Sequence, residues 1–176
     1  NLYAGVGVAV REVTVSKGRS DYLLFIDQKL CGSLEAKREG ATLGGVGEQN
    51  AHYVTSKTGV FQRWVPEGEI LPFQYEATNN EIRFCDNRDP KPRSRHLFHF
   101  HQPATLKEHV GQGDSFRARL QQLPELNTDR LRACQIDAIH GIENSLKNNH
   151  QRALLQMATG AGKTFTACTQ VYRLAK

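Results

Sequence analysis

Ser20–Lys37, SDYLLFIDQKLCGSLEAK, is the stretch whose reading decides the fold of the first half of the chain. An apolar run rich in β-formers follows Asp21, a short polar break interrupts it, and a second run ends in Glu35-Ala36-Lys37. The pattern predicts a hairpin with Asp21 opening its first strand and Glu-x-Lys closing its second. Two carboxylates and a lysine brought together across a hairpin suit Mg²⁺-assisted phosphodiester cleavage. The acids hold the metal, and the lysine steadies the attacking water or the developing charge.

Parity constrains that reading. Side chains alternate along a strand, so Glu35 and Lys37 point the same way, with Ser33 and Cys31. Leu30, Leu34 and Ala36 are then expected in the core, with Gly32 in the same register. Asp21 shares the face of Glu35 only where paired residue numbers sum to an even value. A two-residue turn at Gln28-Lys29 pairs Asp27 with Leu30 and sends Asp21 to the wrong face. A shared acid site therefore requires an odd-length loop or a bulge. The plainer alternative is that Glu-x-Lys is the polar edge of a strand.

Beyond Lys37 a glycine-rich turn (Gly44, Gly45, Gly47) leads into an expected helix from about Gly47 to Lys57. On it Gln49 and Tyr53 stand four apart, on one helical face. Asp21, Glu35-x-Lys37 and Gln49-x-x-x-Tyr53, in this order, resemble the PD-(D/E)xK nucleases, in the branch shared with RecB-type nucleases. The resemblance implies that Asp21 and Glu35 hold Mg²⁺, that Lys37 is catalytic, and that Gln49 and Tyr53 lie beside the centre and orient DNA. Many nucleases of this class take a further Glu from a helix before the first strand, which by the resemblance would precede Asn1. Within the chain Glu12, on the expected strand 6–15, is another candidate acid, though a solvated strand residue is the simpler reading.

Residues 58–104 read as irregular β structure, with Glu76–Phe84 as a hairpin. Asp89–Arg95 is a rigid basic loop. His96, His99 and His101 superficially resemble metal ligands, but the interleaved Leu97, Phe98 and Phe100 and the lack of a nearby cysteine favour a terminal strand. From Pro103 the composition turns helical, with a short helix at Thr105–Val110 and another capped by Ser115 and ending before Pro124.

The last third carries a different chemistry. Thr128 or Asp129 is expected to cap a helix through about Lys147, and Arg152–Met157 to form a short buried strand. Then comes Ala158-Thr159-Gly160-Ala161-Gly162-Lys163-Thr164 and another helix. Strand, glycine loop and helix form the setting of a phosphate-binding loop. Backbone N–H groups wrap a phosphate, Lys163 reaches the γ-phosphate of ATP, and Thr164 ligates Mg²⁺. Met157 stands where the full G-x-x-x-x-G-K-[ST] pattern has its first glycine, a departure that resembles superfamily 2 helicases and translocases. Gln135, on the preceding helix, resembles the Q-motif glutamine whose amide pairs with adenine.

The 176 residues carry a net charge of +5, compatible with a polyanionic partner, and 39% hydrophobic residues, enough for a core. The four cysteines (Cys31, Cys85, Cys134, Cys168) are scattered without a CxxC pair, which argues for a reducing cytoplasm. No apolar run is long enough to span a membrane.

A PD-(D/E)xK nuclease followed by a superfamily 2 motor looks like the R (restriction and translocation) subunit of type I restriction enzymes. Further stretches carry that likeness, among them Arg11–Val13, Gly18–Phe25, Leu71–Phe73, Arg93–Arg95 and Phe98–Phe100. The expected fold is α/β: a nuclease domain over 1–103, a linker over 104–127, and the beginning of a RecA-like P-loop motor over 128–176. The resemblance implies double-stranded DNA, ATP and Mg²⁺, with methylation and specificity subunits as partners. Two alternatives stay open: a translocase with a degenerate, DNA-binding nuclease-like domain, and a non-catalytic assembly piece.

Overall fold

The computed structural model describes residues 1–15, 18–41, 43 and 61–175. The glycine turn, the helix expected over 47–57, and with them Gln49 and Tyr53, lie outside the described residues. The molecule is mixed α/β and divides into two compact units, Asn1–Ser115 and Phe116–Lys176.

The first unit is built on one sheet with strand order β1-β2-β3-β4-β5-β6. Its strands are β1 (Gly7–Val15), β2 (Gly18–Ile26), β3 (Lys29–Ala36), β4 (Phe73–Ala77), β5 (Ile82–Asp86) and β6 (Arg95–Leu97). Neighbours are antiparallel except β3 and β4, which run parallel. The β2–β3 turn falls at Asp27-Gln28, one residue earlier than the Gln28-Lys29 turn weighed above, and both residues are left-handed (φ 46° and 67°). That is the type I′ geometry matching the twist of a hairpin.

With that turn Ile26 pairs with Lys29 and Phe25 with Leu30, but beyond a register shift Leu24 pairs with Gly32, Leu23 with Ser33 and Tyr22 with Leu34. Cys31 is the extra residue of this β-bulge. Its thiol donates to the Leu24 carbonyl at 3.3 Å, and burial pushes it up to about 12, so it acts as a packed hydrophobe.

Being central, β3 is covered on both faces, as strands beside a parallel partner commonly are. This corrects the expected one-sided pattern: Ser33 and Glu35 are buried, Leu34 is half-buried and Ala36 is exposed. One face carries Leu23, Phe25, Leu30 and Leu71; the other carries Ile26, Cys31, Phe73, Tyr75 and Phe84. Each large side chain so buried contributes about 1.5–3 kcal/mol. On the second face Tyr22, Leu24, Leu34, Tyr75 and Phe100 help line an apolar cavity of about 350 Å³, on the far side of the sheet from Glu35.

Helix α1 (Pro103–Gly111) belongs to this unit. Leu106 enters the core, Lys107 pairs with Asp27 at 2.8 Å, and Arg88 joins the Asp86 carboxylate to the His109 carbonyl. The division between units at Ser115 thus falls inside the stretch read as a linker, with its first helix docked on the sheet.

The second unit holds α2 (Phe116–Arg119), a 3₁₀ turn (Leu120–Gln122), α3 (Ala133–Lys147) and α4 (Lys163–Ala175). Two expectations fail here. Neither Thr128 nor Asp129 caps α3: the chain turns at 128–131, Arg130 is left-handed (φ 66°), and the helix starts after Arg132. Nor do residues 152–157 form a buried strand; they lack regular structure, and Leu154 is 95% exposed. A strand needs a paired neighbour, and no described residue of this unit supplies one. Helices α3 and α4 are joined by a buried ion pair, Arg173 Nε to Glu143 Oε1 at 2.6 Å, and the same guanidinium donates to the Pro124 carbonyl at 2.7 Å.

Candidate functional site

Continuing the even register beyond Tyr22–Leu34 sets Asp21 across from Glu35 on one face of the sheet. Asp21 Oδ2 accepts the Ala36 backbone N–H at 2.8 Å, which fixes its carboxylate against the end of β3. Glu35 sits beside it and is 9% exposed. Burial raises its pKa to about 6, the Asp21 charge pushes in the same direction, and Lys37 and the Asp21 backbone N–H pull it back. Asp21, Glu35 and Lys37 are therefore electrostatic neighbours. Lys37 follows β3 directly and its own N–H donates to the Ala77 carbonyl at 2.7 Å.

Glu35 Oε1 is buried with no hydrogen-bond partner among the described residues. A buried, unpartnered carboxylate oxygen is costly unless a cation or donor reaches it. Two carboxylates at the end of a strand pair suit Mg²⁺, which binds through one or two protein carboxylates and keeps waters for its other positions. No group of three or more His, Cys, Asp or Glu side chains among the described residues is arranged to hold a metal. Asp21 and Glu35 by themselves are the kind of donors that suit a hard cation completing its shell with solvent oxygens.

Glu12, the further candidate acid, is taken up by Arg19 (2.5 Å) and Arg11 (3.3 Å) at the surface. The histidine string is likewise dispersed: His96 contacts Glu81 at 2.9 Å, His101 shares a 2.7 Å hydrogen bond with the Tyr75 hydroxyl, and His99 is exposed.

Two polar residues on the acid face were missed from sequence. Parallel pairing sets Ser33 beside Gln74 and Glu35 beside Glu76, and both β4 residues are buried. The signal was present in Phe73-Gln74-Tyr75-Glu76, whose strict alternation aims both polar side chains to one side.

In the second unit Thr159, Gly160, Ala161 and Gly162 form the turn before α4, which begins at Lys163. Gly160 and Gly162 are left-handed (φ 80° and 87°), a conformation available to glycine at little cost. A Cβ at Gly162 would also lie 2.3 Å from Gln135 Nε2. Lys163 Nζ donates to the Ala158 carbonyl at 3.1 Å, and Thr164 is exposed. Gln135 is 4% exposed; its Oε1 accepts the Arg132 N–H at 3.0 Å and its Nε2 donates to the Ala161 carbonyl at 3.0 Å. Both ends of the amide thus hold the loop and the start of α3. Arg132 adds a 3.1 Å bond to the Gly160 carbonyl.

A model of the family described as "Type III restriction enzyme, res subunit" matches residues 128–176. The endonuclease subunit of the type I restriction enzyme EcoKI of Escherichia coli (strain K12) is 27% identical over 93% of the chain, which spans 17% of that protein's length. Among solved structures, a fragment of a putative HsdR subunit of a type I restriction enzyme from Vibrio vulnificus YJ016 aligns over 98% of the chain and 34% of its own, at 23% identity and a TM-score of 0.44. Over most of its length the chain is thus similar in sequence to the endonuclease subunit of a type I restriction enzyme, and residues 128–176 match the restriction-enzyme res-subunit family.

Proposed function

We propose that the chain contributes the cleavage centre and the first part of the ATP-driven motor of a type I restriction enzyme acting on double-stranded DNA. The sheet unit is read as a PD-(D/E)xK nuclease domain, and 128–176 as the start of a RecA-like motor. The observation that carries the nuclease reading is the pairing of Asp21 with Glu35, whose buried Oε1 has no partner among the described residues.

Asp21 and Glu35 are the residues that would hold Mg²⁺, which when bound supplies positive charge to the scissile phosphate and acidifies water. The Ala36 N–H keeps Asp21 aimed at the site. Lys37, adjacent to both acids, steadies the attacking water or the charge developing on the phosphate. Gln49 and Tyr53 are proposed to orient the DNA backbone beside this centre.

In the motor, the N–H groups of Thr159–Gly162 and the N-terminus of α4 bind the phosphates of ATP, with Lys163 exchanging the Ala158 carbonyl for the γ-phosphate. Thr164 would hold Mg²⁺ with the nucleotide. For Gln135 to pair with adenine, its amide must leave the Ala161 carbonyl and the Arg132 N–H; in its present bonds it holds the loop in shape. The methylation and specificity subunits are the proposed partners, with base reading left to the latter.

Calorimetric titration of the chain with Mn²⁺ at pH 7.5 tests the centre. Asp21→Asn and Glu35→Gln should each reduce binding at this site below detection. Unchanged Mn²⁺ binding in both folded variants would sink the assignment.

A further inference from the structure

Gln74 is 5% exposed, and its Nε2 has no hydrogen-bond partner among the described residues. It lies on the same face as Glu35, whose Oε1 is the complementary case, a buried acceptor without a partner among those residues. Ser33 stands beside Gln74 and Glu35 beside Glu76, so Glu35 and Gln74 are diagonal neighbours across the parallel β3–β4 pair. Strands lie about 4.8 Å apart and two residues advance about 6.6 Å, so their Cα atoms are roughly 8 Å apart, within reach of two long side chains.

On its other side Gln74 pairs with Cys85, whose thiol donates to Asn87 Oδ1 at 3.6 Å and so does not engage the amide. Leaving a donor and an acceptor both unpaired in one buried patch is unfavourable, and joining them removes both penalties.

We propose that Gln74 is a positioning residue of the acid centre, its side-chain amide donating a hydrogen bond, directly or through one water, that orients Glu35 Oε1 for the cation. The assignment rests on the reading of Asp21 and Glu35 as the metal centre. A donor to the far side of a metal-binding carboxylate fixes its rotamer and favours its charged form, and losing such a partner weakens metal binding by roughly 10–100-fold. Gln74 itself touches neither cation nor DNA.

The test uses the chain without DNA or ATP. Gln74→Met keeps length and apolar packing but removes the donor; Gln74→Asn keeps the amide and shortens its reach, and serves where the first variant fails to fold. Two quantities are read: Mn²⁺ affinity by calorimetry, and the titration midpoint of the Glu35 side-chain carboxyl by ¹³C NMR in metal-free protein. Either variant should bind Mn²⁺ about tenfold more weakly and move the Glu35 midpoint up by roughly one pH unit. A merely structural role for Gln74 would leave that midpoint in place. An unmoved midpoint with wild-type affinity in a cooperatively melting variant would overturn the proposal. Asp21→Asn is run alongside. If it abolishes Mn²⁺ binding while the Gln74 variants behave as wild type, only the role of Gln74 fails; if it too binds normally, the metal centre itself is wrong.

Discussion

The acid pair on the sheet and the glycine loop before α4 are built in opposite ways. Asp21, half-buried, and Glu35, buried, lie on different strands and are aligned only because a bulge at Cys31 restores the parity that the Asp27-Gln28 turn alone would break. The glycine loop is contiguous and exposed, held by its own left-handed glycines and by two side chains, Arg132 and Gln135. A site made from register depends on every residue between its parts. A site made from one loop depends on local backbone conformation and survives even though residues 152–157 before it form no strand.

The sharpest way to break this contrast is to insert one alanine after Cys31. With a one-residue bulge kept, every later pair moves by one, Asp21 meets Leu34, and Ser33 and Glu35 exchange faces with Gly32 and Leu34. The sheet should lose several kcal/mol of stability and all Mn²⁺ binding at the acid pair, measured by urea unfolding and calorimetry. Retained Mn²⁺ binding would mean that the acids meet by some other route. Lys163→Ala addresses the other region. In the reconstituted full-length complex, ATP turnover should fall roughly a thousandfold or more. We propose further that cutting waits on translocation, so cleavage of a circular one-site DNA should vanish with it although the carboxylates are intact. Normal cleavage without ATP turnover would uncouple the two regions and remove the subunit reading.

Acidity offers a graded test. Glu35 must be ionised to hold a cation, and its pKa is raised to about 6. Mn²⁺ affinity at this site should therefore fall about tenfold per pH unit below 6 and level off above it. The smallest expected effect is on stability. A carboxyl whose pKa is raised on folding, here from 4.5 to about 6, favours the folded state fully below pH 4.5 and loses that contribution as pH rises through about 6. Glu35→Gln, which mimics the protonated acid, should thus stabilise the metal-free chain by about 1–2 kcal/mol at pH 8 and change little at pH 4.5. Equal effects at both pH values would show that Glu35 is not strained by burial.

Much of this architecture was legible because its signals are local. The alternation in 6–15, the apolar runs after Asp21 and Lys29, and the Glu76–Phe84 hairpin each state a period within a few residues, and strands form there. The requirement for a bulge followed from parity alone, but its place did not. Cys31 looks like any small apolar residue, and only the turn at Asp27-Gln28 makes it the surplus one. The N-terminus of α3 was misplaced because Thr128 and Asp129 are good capping residues in isolation. Arg130 in a left-handed conformation interrupts the chain between them and the helix. The strand expected at 152–157 was read from hydrophobicity, which cannot say whether a partner strand is at hand. Gln74 escaped notice because its importance depends on the parallel register of β4 against β3, a contact across more than thirty residues of chain.

Metal-dependent cutting and nucleotide turnover are proposed to reside in separate units of the chain, and that separation can be tested. Its most direct test is to measure both activities in one preparation, using a full-length subunit bearing Asp21→Asn assembled with the proposed methylation and specificity partners. The account predicts that cleavage of circular one-site DNA is lost, by roughly a thousandfold or more, while DNA-stimulated ATP turnover stays within about twofold of wild type. Cleavage at the wild-type rate, or loss of both activities in a folded and assembled variant, would contradict it.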